Sequence, residues 1–188
     1  MASYVCAHVA KGFDVCFAAY GHPGVFAYPT HESIRRARAA GCEARMLPGI
    51  SADACLYADL GIDPAVVGMQ SFEATDFLVH RRVHDPRSGL ILWQIGVIGE
   101  FGYKQETTPW NPAGLQMLTE TLLRCYGADH EAIVYEASPY VLCGPSIQRV
   151  ALGALSDARV TPISTLYVPP KEHAISDLDV LRRLGVDV

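Results

Sequence analysis

The order of apolar and polar positions divides the chain into alternating helical and strand-like stretches. Residues 1–11 carry Val5, Cys6 and Val9 at helical spacing and stop at Gly12, which suits the left-handed position after a helix end. Residues 13–20, FDVCFAAY, form an apolar run of strand length. Apart from Asp14 the run lacks polar alternation, the pattern of a strand covered on both faces of a parallel sheet. Thr30 suits the cap of a helix running to residue 40, with Ile34, Ala37 and Arg38 on neighbouring faces and Gly41 closing it. A short strand at 44–47 meets the Pro48–Gly49 turn, and Ser51 caps a helix through Leu60 that ends at Gly61. Helix, strand, helix, strand, helix is the winding of an α/β domain.

Residues 61–68, GIDPAVVG, are rich in turn formers and read as a connector. The expected organisation is an N-terminal α/β domain over 1–61, a linker over 62–68 and a C-terminal α/β domain over 69–188. The second domain opens with a strand at 69–73, a helix at 75–81, a polar loop at 85–89 and a strong strand at 90–95. Asn111 followed by Pro112 is a cap with proline in the first turn. Leu115, Leu118, Leu122 and Tyr126 then form one apolar helix face ending at Gly127. Strands at 132–137 and 165–168 complete the half, the latter preceded by Gly153 to Leu155. The chain shows no internal repeat.

Composition narrows the class. With 188 residues, 50% hydrophobic and 19% charged, the chain can bury a real core. Its net charge of -5 is scattered, so no basic stripe offers itself to a phosphate backbone and nucleic acid is not an expected partner. The uncharged apolar runs fall far short of the ~20 residues that span a bilayer, so no membrane association is expected. The six cysteines, Cys6, Cys16, Cys42, Cys55, Cys125 and Cys143, lie in or beside apolar stretches without a CxxC pair and read as reduced core thiols of a cytoplasmic protein. His80 and His84 flank Arg81 and Arg82 and read as a solvated face, with no metal-ligand set around them.

Four segments carry candidate chemistry. Tyr20 to Phe26, YGHPGVF, follows the first buried strand, where ligands of open α/β sheets sit and where Gly21 and Gly24 bare the backbone. The same composition also fits an ordinary strand-to-helix turn. Leu47 to Cys55, LPGISADAC, places Ser51 at a helix start whose orphan N–H groups face a carboxylate or are capped by Ser51 itself. In ILWQIGVIG, Gln94 is the one polar side chain of an apolar run and either ties down backbone or meets a ligand. Tyr135 and Glu136, with Ser164 and Thr165, place polar groups at strand ends, which suits an adenine or ribose as well as ordinary sheet alternation.

Taken in order, YGHPGVF, HESIRRARAAGCEARMLPGISADACLYADLGIDP, FEATDFL, LILWQIGVIG and STLYVPP closely resemble the tetrapyrrole (corrin/porphyrin) methylase superfamily, and specifically its borosin-type peptide backbone N-methyltransferases. The likeness covers most of residues 1–170. It implies a two-domain α/β fold, an N-terminal parallel sheet plus a C-terminal mixed sheet, binding S-adenosyl-L-methionine in the cleft between domains and working as a homodimer. The matching positions are Tyr20, Gly21, His22, Val25, Ser51, Ala52, Gln94, Tyr135, Ser164 and Thr165 as cofactor-binding residues, with Tyr20 also the one nominee beside the transferred methyl. Many tetrapyrrole methylases carry aspartate where His22 stands, so the histidine points to the borosin branch.

The resemblance also shows a departure. Family members begin with a strand and a glycine-rich loop, and residues 1–5 resemble the middle of a later helix, so roughly seventy family residues are expected to be missing before Met1. That strand would lie inside the parallel sheet, so the chain alone is expected to be poorly soluble or dependent on a partner. The expected activity is N-methylation of the backbone amides of a precursor peptide supplied in trans. Alternatives are C-methylation of a tetrapyrrole and an inactive scaffold homologue.

Overall fold

The computed structural model describes residues 1–100, 111–140 and 142–186. The chain divides into two compact units, Met1–Ala58 and Asp59–Val188. The first holds helix α1 (Ala2–Val9), helix α2 (Tyr28–Ala39) and most of helix α3 (Ala52–Leu60). α2 starts before Thr30, because Pro29 has the fixed φ and missing N–H that suit a first turn. Thr30 lies inside that turn and donates its hydroxyl to the carbonyls of Ala27 and Pro23. Glu32, 8% exposed, accepts from Arg35 at 2.7 Å and Arg36 at 2.6 Å, and these guanidinium bonds hold its carboxyl down to about 2.

Mixed α/β architecture is what the sequence predicts, but the first unit departs from expectation. Among the described residues all strands lie in the second unit, and neither 13–20 nor 44–47 is one of them. A parallel strand is defined by neighbours that take up its N–H and C=O groups. Residues 14–21 donate no backbone N–H to another backbone group among the described residues. The run expected to be covered on both faces is instead open, with Phe13 61%, Val15 39% and Tyr20 74% exposed. It lines a groove of about 860 Å³ together with Val5, Ile34 and Met46. The cysteines also differ from expectation: all six are free, but none is fully buried, and Cys16 and Cys143 are exposed.

The second unit is built on a five-stranded mixed sheet in the order β1-β2-β5-β3-β4. After the short helix α4 (Pro64–Val67), capped by Asp63, come β1 (Met69–Glu73), helix α5 (Ala74–Val79) and β2 (Gly89–Trp93). β1 and β2 pair in parallel, with α5 as the crossover. β3 (Glu131–Glu136), β4 (Ser146–Ala151) and β5 (Thr165–Val168) join antiparallel. Every residue of β2 and of β5 is buried, the signature of interior strands. β4, not predicted, is an edge strand with alternating exposure and a 2.6 Å ion pair from Arg149 to Glu131. A short helix, α7 (Leu178–Arg183), follows near the end with no buried residue.

Helix α6 (Pro112–Tyr126) covers the sheet. Asn111 accepts from the N–H of Gly114 at 3.1 Å and donates to the Ile98 carbonyl at 2.8 Å, so the expected cap is present and tied to the preceding turn. Leu115, Leu118, Leu122 and Tyr126 all enter one core with Leu90, Leu92, Val134, Leu166 and Val168. No helix among the described residues is long and apolar enough to cross a membrane.

The expected solvated face holds for His80, which pairs with Asp76 at 3.0 Å, but not for His84. The His84 ring lies 5.8 Å from Tyr126 in a stacked arrangement and 5.4 Å from Phe77. Its Nε2 and the Tyr126 hydroxyl are buried without hydrogen-bond partners among the described residues. Burial pushes the His84 pKa down, against opposing contributions from the Arg82 backbone and the Asp85 charge, and pushes the Tyr126 phenol up. The folded chain therefore holds His84 neutral where the unfolded chain titrates near its ordinary ~6.5.

Two outcomes follow. The stability that His84 contributes is complete above that ordinary pKa and is lost as pH falls below it, so the thermal midpoint should drop between pH 7.5 and pH 5.5. His84→Phe should shrink the drop, and an equal drop in the variant contradicts this account. Leu118→Ala, at a fully buried site, should cost about 2–5 kcal/mol by denaturant titration.

Candidate functional site

In the first unit, the two predicted turns lie against one another. Gly21 has φ +74°, and a Cβ on Gly49 would come within 2.7 Å of the Gly21 carbonyl oxygen and 3.2 Å of the His22 Cα. Only a bare backbone at 49 allows this approach. The Tyr20–Val25 turn is also tied down from α2. The Pro23 carbonyl accepts from Thr30, the Gly24 carbonyl accepts from His31 Nε2 at 2.9 Å, and the Gly24 N–H donates to His22 Nδ1 at 2.9 Å. Val25 closes the turn by donating to the His22 carbonyl at 3.3 Å.

Ser51 precedes Ala52, the first residue of α3, as expected, but its hydroxyl donates to the Asp53 carboxylate. Asp53 in turn accepts from the Ala54 N–H at 2.8 Å, so the carboxylate, not the serine side chain, takes up an N–H of the first turn. Tyr20, Gly21, His22, Val25, Ser51 and Ala52 thus belong to two turns packed together within the first unit.

In the second unit, one end of the sheet collects the remaining four. Gln94 leaves β2 in the left-handed conformation, φ 59°, an uncommon geometry for a non-glycine residue. Next to it the Ile95 N–H donates to the Ser164 carbonyl at 3.1 Å. Thr165 stands opposite Tyr135 in the β3–β5 register. The structure therefore brings Gln94, Tyr135, Ser164 and Thr165 together.

Three of these side chains are enclosed. Ser164 and Tyr135 are 0% exposed and Thr165 2%. The Tyr135 hydroxyl donates to Asp59 Oδ2 at 2.6 Å, and Ser164 donates to Glu136 Oε1 at 2.5 Å. Thr161 donates to the same oxygen at 2.7 Å, and its N–H donates to Ser164 Oγ at 2.7 Å. Gly96 makes the arrangement possible: a Cβ there would sit 2.1 Å from the Thr161 carbonyl oxygen.

Asp59, Gly96 and Thr161 were not singled out from the sequence, and Gly49 only as half of the Pro48–Gly49 turn. The glycines carried a signal, each standing in a turn beside a candidate polar residue, whereas Asp59 and Thr161 meet their partners only through the fold. Among the described residues no group of three or more His, Cys, Asp or Glu is placed to hold a metal ion.

Comparison with known proteins gives concordant results. The model of the family described as Tetrapyrrole (Corrin/Porphyrin) Methylases matches residues 1–157. A methyltransferase/ribosomally synthesized cyclic peptide gymnopeptides precursor from Gymnopus fusipes is 42% identical over 98% of this chain and 44% of its own length. The corresponding omphalotin A precursor protein from Omphalotus olearius is 38% identical over 98% of this chain and 45% of its own length. A type I borosin cyclic peptide precursor protein from Coprinopsis marcescibilis is 42% identical over 91% of this chain and 45% of its own length. The chain thus spans less than half the length of these relatives.

Among solved structures, uroporphyrin-III C-methyltransferase from Thermus thermophilus complexed with S-adenosylhomocysteine aligns with a TM-score of 0.60 and 15% identity, over 90% of this chain and 72% of the other. That likeness concerns the fold. The matched family model and the run of relatives place this chain in the tetrapyrrole (corrin/porphyrin) methylase family, as a member that fits its borosin type.

Proposed function

We propose that this chain contributes the S-adenosyl-L-methionine site of a methyltransferase that N-methylates backbone amides of a precursor peptide supplied in trans, and that it works as a homodimer. The observation that carries the reading is the pair of bare turns at Gly21 and Gly49, held in contact beside the start of α3. The relatives' names, which join a methyltransferase to a ribosomally synthesized peptide precursor, support the choice of acceptor.

The residues suit the cofactor. Its sulfonium is a cation, and residues 20–25, 47–52, 94–99 and 161–165 contain no Lys or Arg that would repel it. Tyr20, 74% exposed, offers an aromatic face of the kind that attracts such cations. We assign cofactor binding to Tyr20, Gly21, His22, Val25, Ser51 and Ala52 of the first unit and to Gln94, Tyr135, Ser164 and Thr165 of the second. Because the Tyr135 and Ser164 hydroxyls are committed to Asp59 and Glu136, those two act by fixing the backbone around Thr165.

The cofactor supplies an electrophilic methyl group, and the protein supplies position. A backbone amide is a weak nucleophile, so proton removal or stabilisation of the developing imidate oxygen must accompany transfer. Tyr20 is the residue of this chain that we assign to the neighbourhood of the transferred methyl.

Calorimetric titration of the chain with S-adenosylhomocysteine should give saturable binding, weakened about tenfold or more by Gly49→Ala, whose new Cβ forces the two turns apart. With S-adenosyl-L-methionine and precursor-type peptides, mass spectrometry should show single-methyl steps on backbone amides. Absence of binding by the parent chain sinks the reading, and methylation of a tetrapyrrole carbon in place of peptide redirects it.

A further inference from the structure

One carboxylate oxygen holds the turn before β5. Glu136, at the end of β3, accepts from the Ser164 hydroxyl at 2.5 Å and from the Thr161 hydroxyl at 2.7 Å, both at Oε1. A hydroxyl has a single proton to give. With that proton given to Glu136, the lone pairs of each hydroxyl oxygen are left for the backbone of the turn itself. Ser164 Oγ accepts the Thr161 N–H at 2.7 Å, and Thr161 Oγ1 accepts the Ile163 N–H at 3.3 Å. The carboxylate therefore sets the direction of both hydroxyls, and the hydroxyls set the path of residues 161–164.

The effect reaches the turn after β2. Ser164, so held, offers its carbonyl to the Ile95 N–H at 3.1 Å, and the Thr161 carbonyl oxygen lies where a Cβ on Gly96 would be 2.1 Å away. Turns packed this closely have no slack in which to absorb a shift of Thr161. Gln94 precedes Ile95 and Thr165 follows Ser164, so both take their place from this packing. The Glu136 side chain bonds to the two hydroxyls and, among the described residues, to no Lys, Arg or His. An ionised acceptor makes hydroxyl bonds of the stronger kind, and here that strength goes entirely into the turn.

We propose that Glu136 is a positioning residue of the methyl-transfer site: its Oε1 fixes the Thr161–Ser164 turn against the Gln94–Gly96 turn and so presents Gln94 and Thr165 in binding geometry. The identity of the ligand rests on the methyltransferase reading; the clamp itself does not. The role needs an acceptor oxygen in place, not a charge, so glutamine retains it and alanine abolishes it. A carboxylate acting directly on the cofactor's sulfonium would behave differently, since its loss would weaken the cation and spare the uncharged thioether of S-adenosylhomocysteine.

Calorimetric titration with S-adenosyl-L-methionine and with S-adenosylhomocysteine separates these roles. Glu136→Ala should weaken both ligands by about tenfold or more, and Glu136→Gln should stay within about threefold of the parent for both. Thr161→Val, which removes one of the two clamped hydroxyls, should weaken both by about threefold. Added to Glu136→Ala it should cause no further loss, because the two groups act through one another. Glu136→Ala equal to the parent overturns the proposal, as do Glu136→Gln as weak as Glu136→Ala, a loss confined to S-adenosyl-L-methionine, or losses that simply add. Where Glu136→Ala does not fold, Thr161→Val carries the test, and its equality with the parent overturns the proposal.

The clamp is also read on the ligand-free chain by amide hydrogen exchange. The Ile95, Thr161 and Ser164 amides should exchange about tenfold faster in Thr161→Val and in Glu136→Ala, with the β1–β2 ladder at the parent rate. Unchanged exchange at those three amides overturns the clamp. Failure of the parent chain to bind either ligand sinks the methyltransferase reading instead, and the exchange result stands apart from it.

Discussion

Two turns in this chain exist only because a glycine lets backbone touch backbone. At Gly96 any side chain would collide with the Thr161 carbonyl, and at Gly49 with the Gly21 carbonyl. The first contact sets the turn after β2 against the turn before β5, and the second joins the two loops of the first unit. Every candidate binding residue lies in one of these turns or within a strand end that they fix. The rest of the second unit serves the first contact: buried β2 and β5, held in register and covered by α6, deliver both turns to the same end of the sheet. In a close-packed interior such a contact is transmitted as position, since neighbours have no slack to absorb a shift.

Much of this was legible from local pattern, and the misses have local causes. The strands at 69–73 and 165–168 and the apolar stripe of α6 were readable because burial imposes a period on the residues themselves. The run at 13–20 has equally strong strand character, yet it is not a strand in the structure, because strand status depends on a partner and no composition supplies one. β4 was missed for the opposite reason: as an edge strand it keeps Arg149 and Ile147 in solvent and lacks a continuous apolar signature. Thr30 and Ser51 were read as caps from residue type, whereas Pro29 and Asp53 settle the local competition. His84 was placed in solvent by its charged neighbours, but Phe77 and Tyr126 claim its ring.

The candidate site divides along the same line. Glycines, a histidine and a serine in ordered motifs were visible in one sequence, together with a family likeness that the comparisons bear out. The hydrogen bonds that make those residues specific were not visible, since Asp59 and Tyr135, or Thr161 and Glu136, are brought together by tertiary structure alone. Knowing them changes the picture of individual groups: the enclosed hydroxyls of Tyr135 and Ser164 are committed to Asp59 and Glu136 and hold the frame, while Tyr20 stays exposed.

The central claim is that these turns receive a sulfonium nucleoside. Mapping amide chemical shifts of uniformly 15N-labelled chain during titration with S-adenosylhomocysteine tests it most directly. The account predicts shifts concentrated at residues 20–25, 49–52, 94–96 and 161–165, with β4 and α7 silent. Shifts confined to β4, α7 or the surface of α6, or none at saturating ligand, would contradict it.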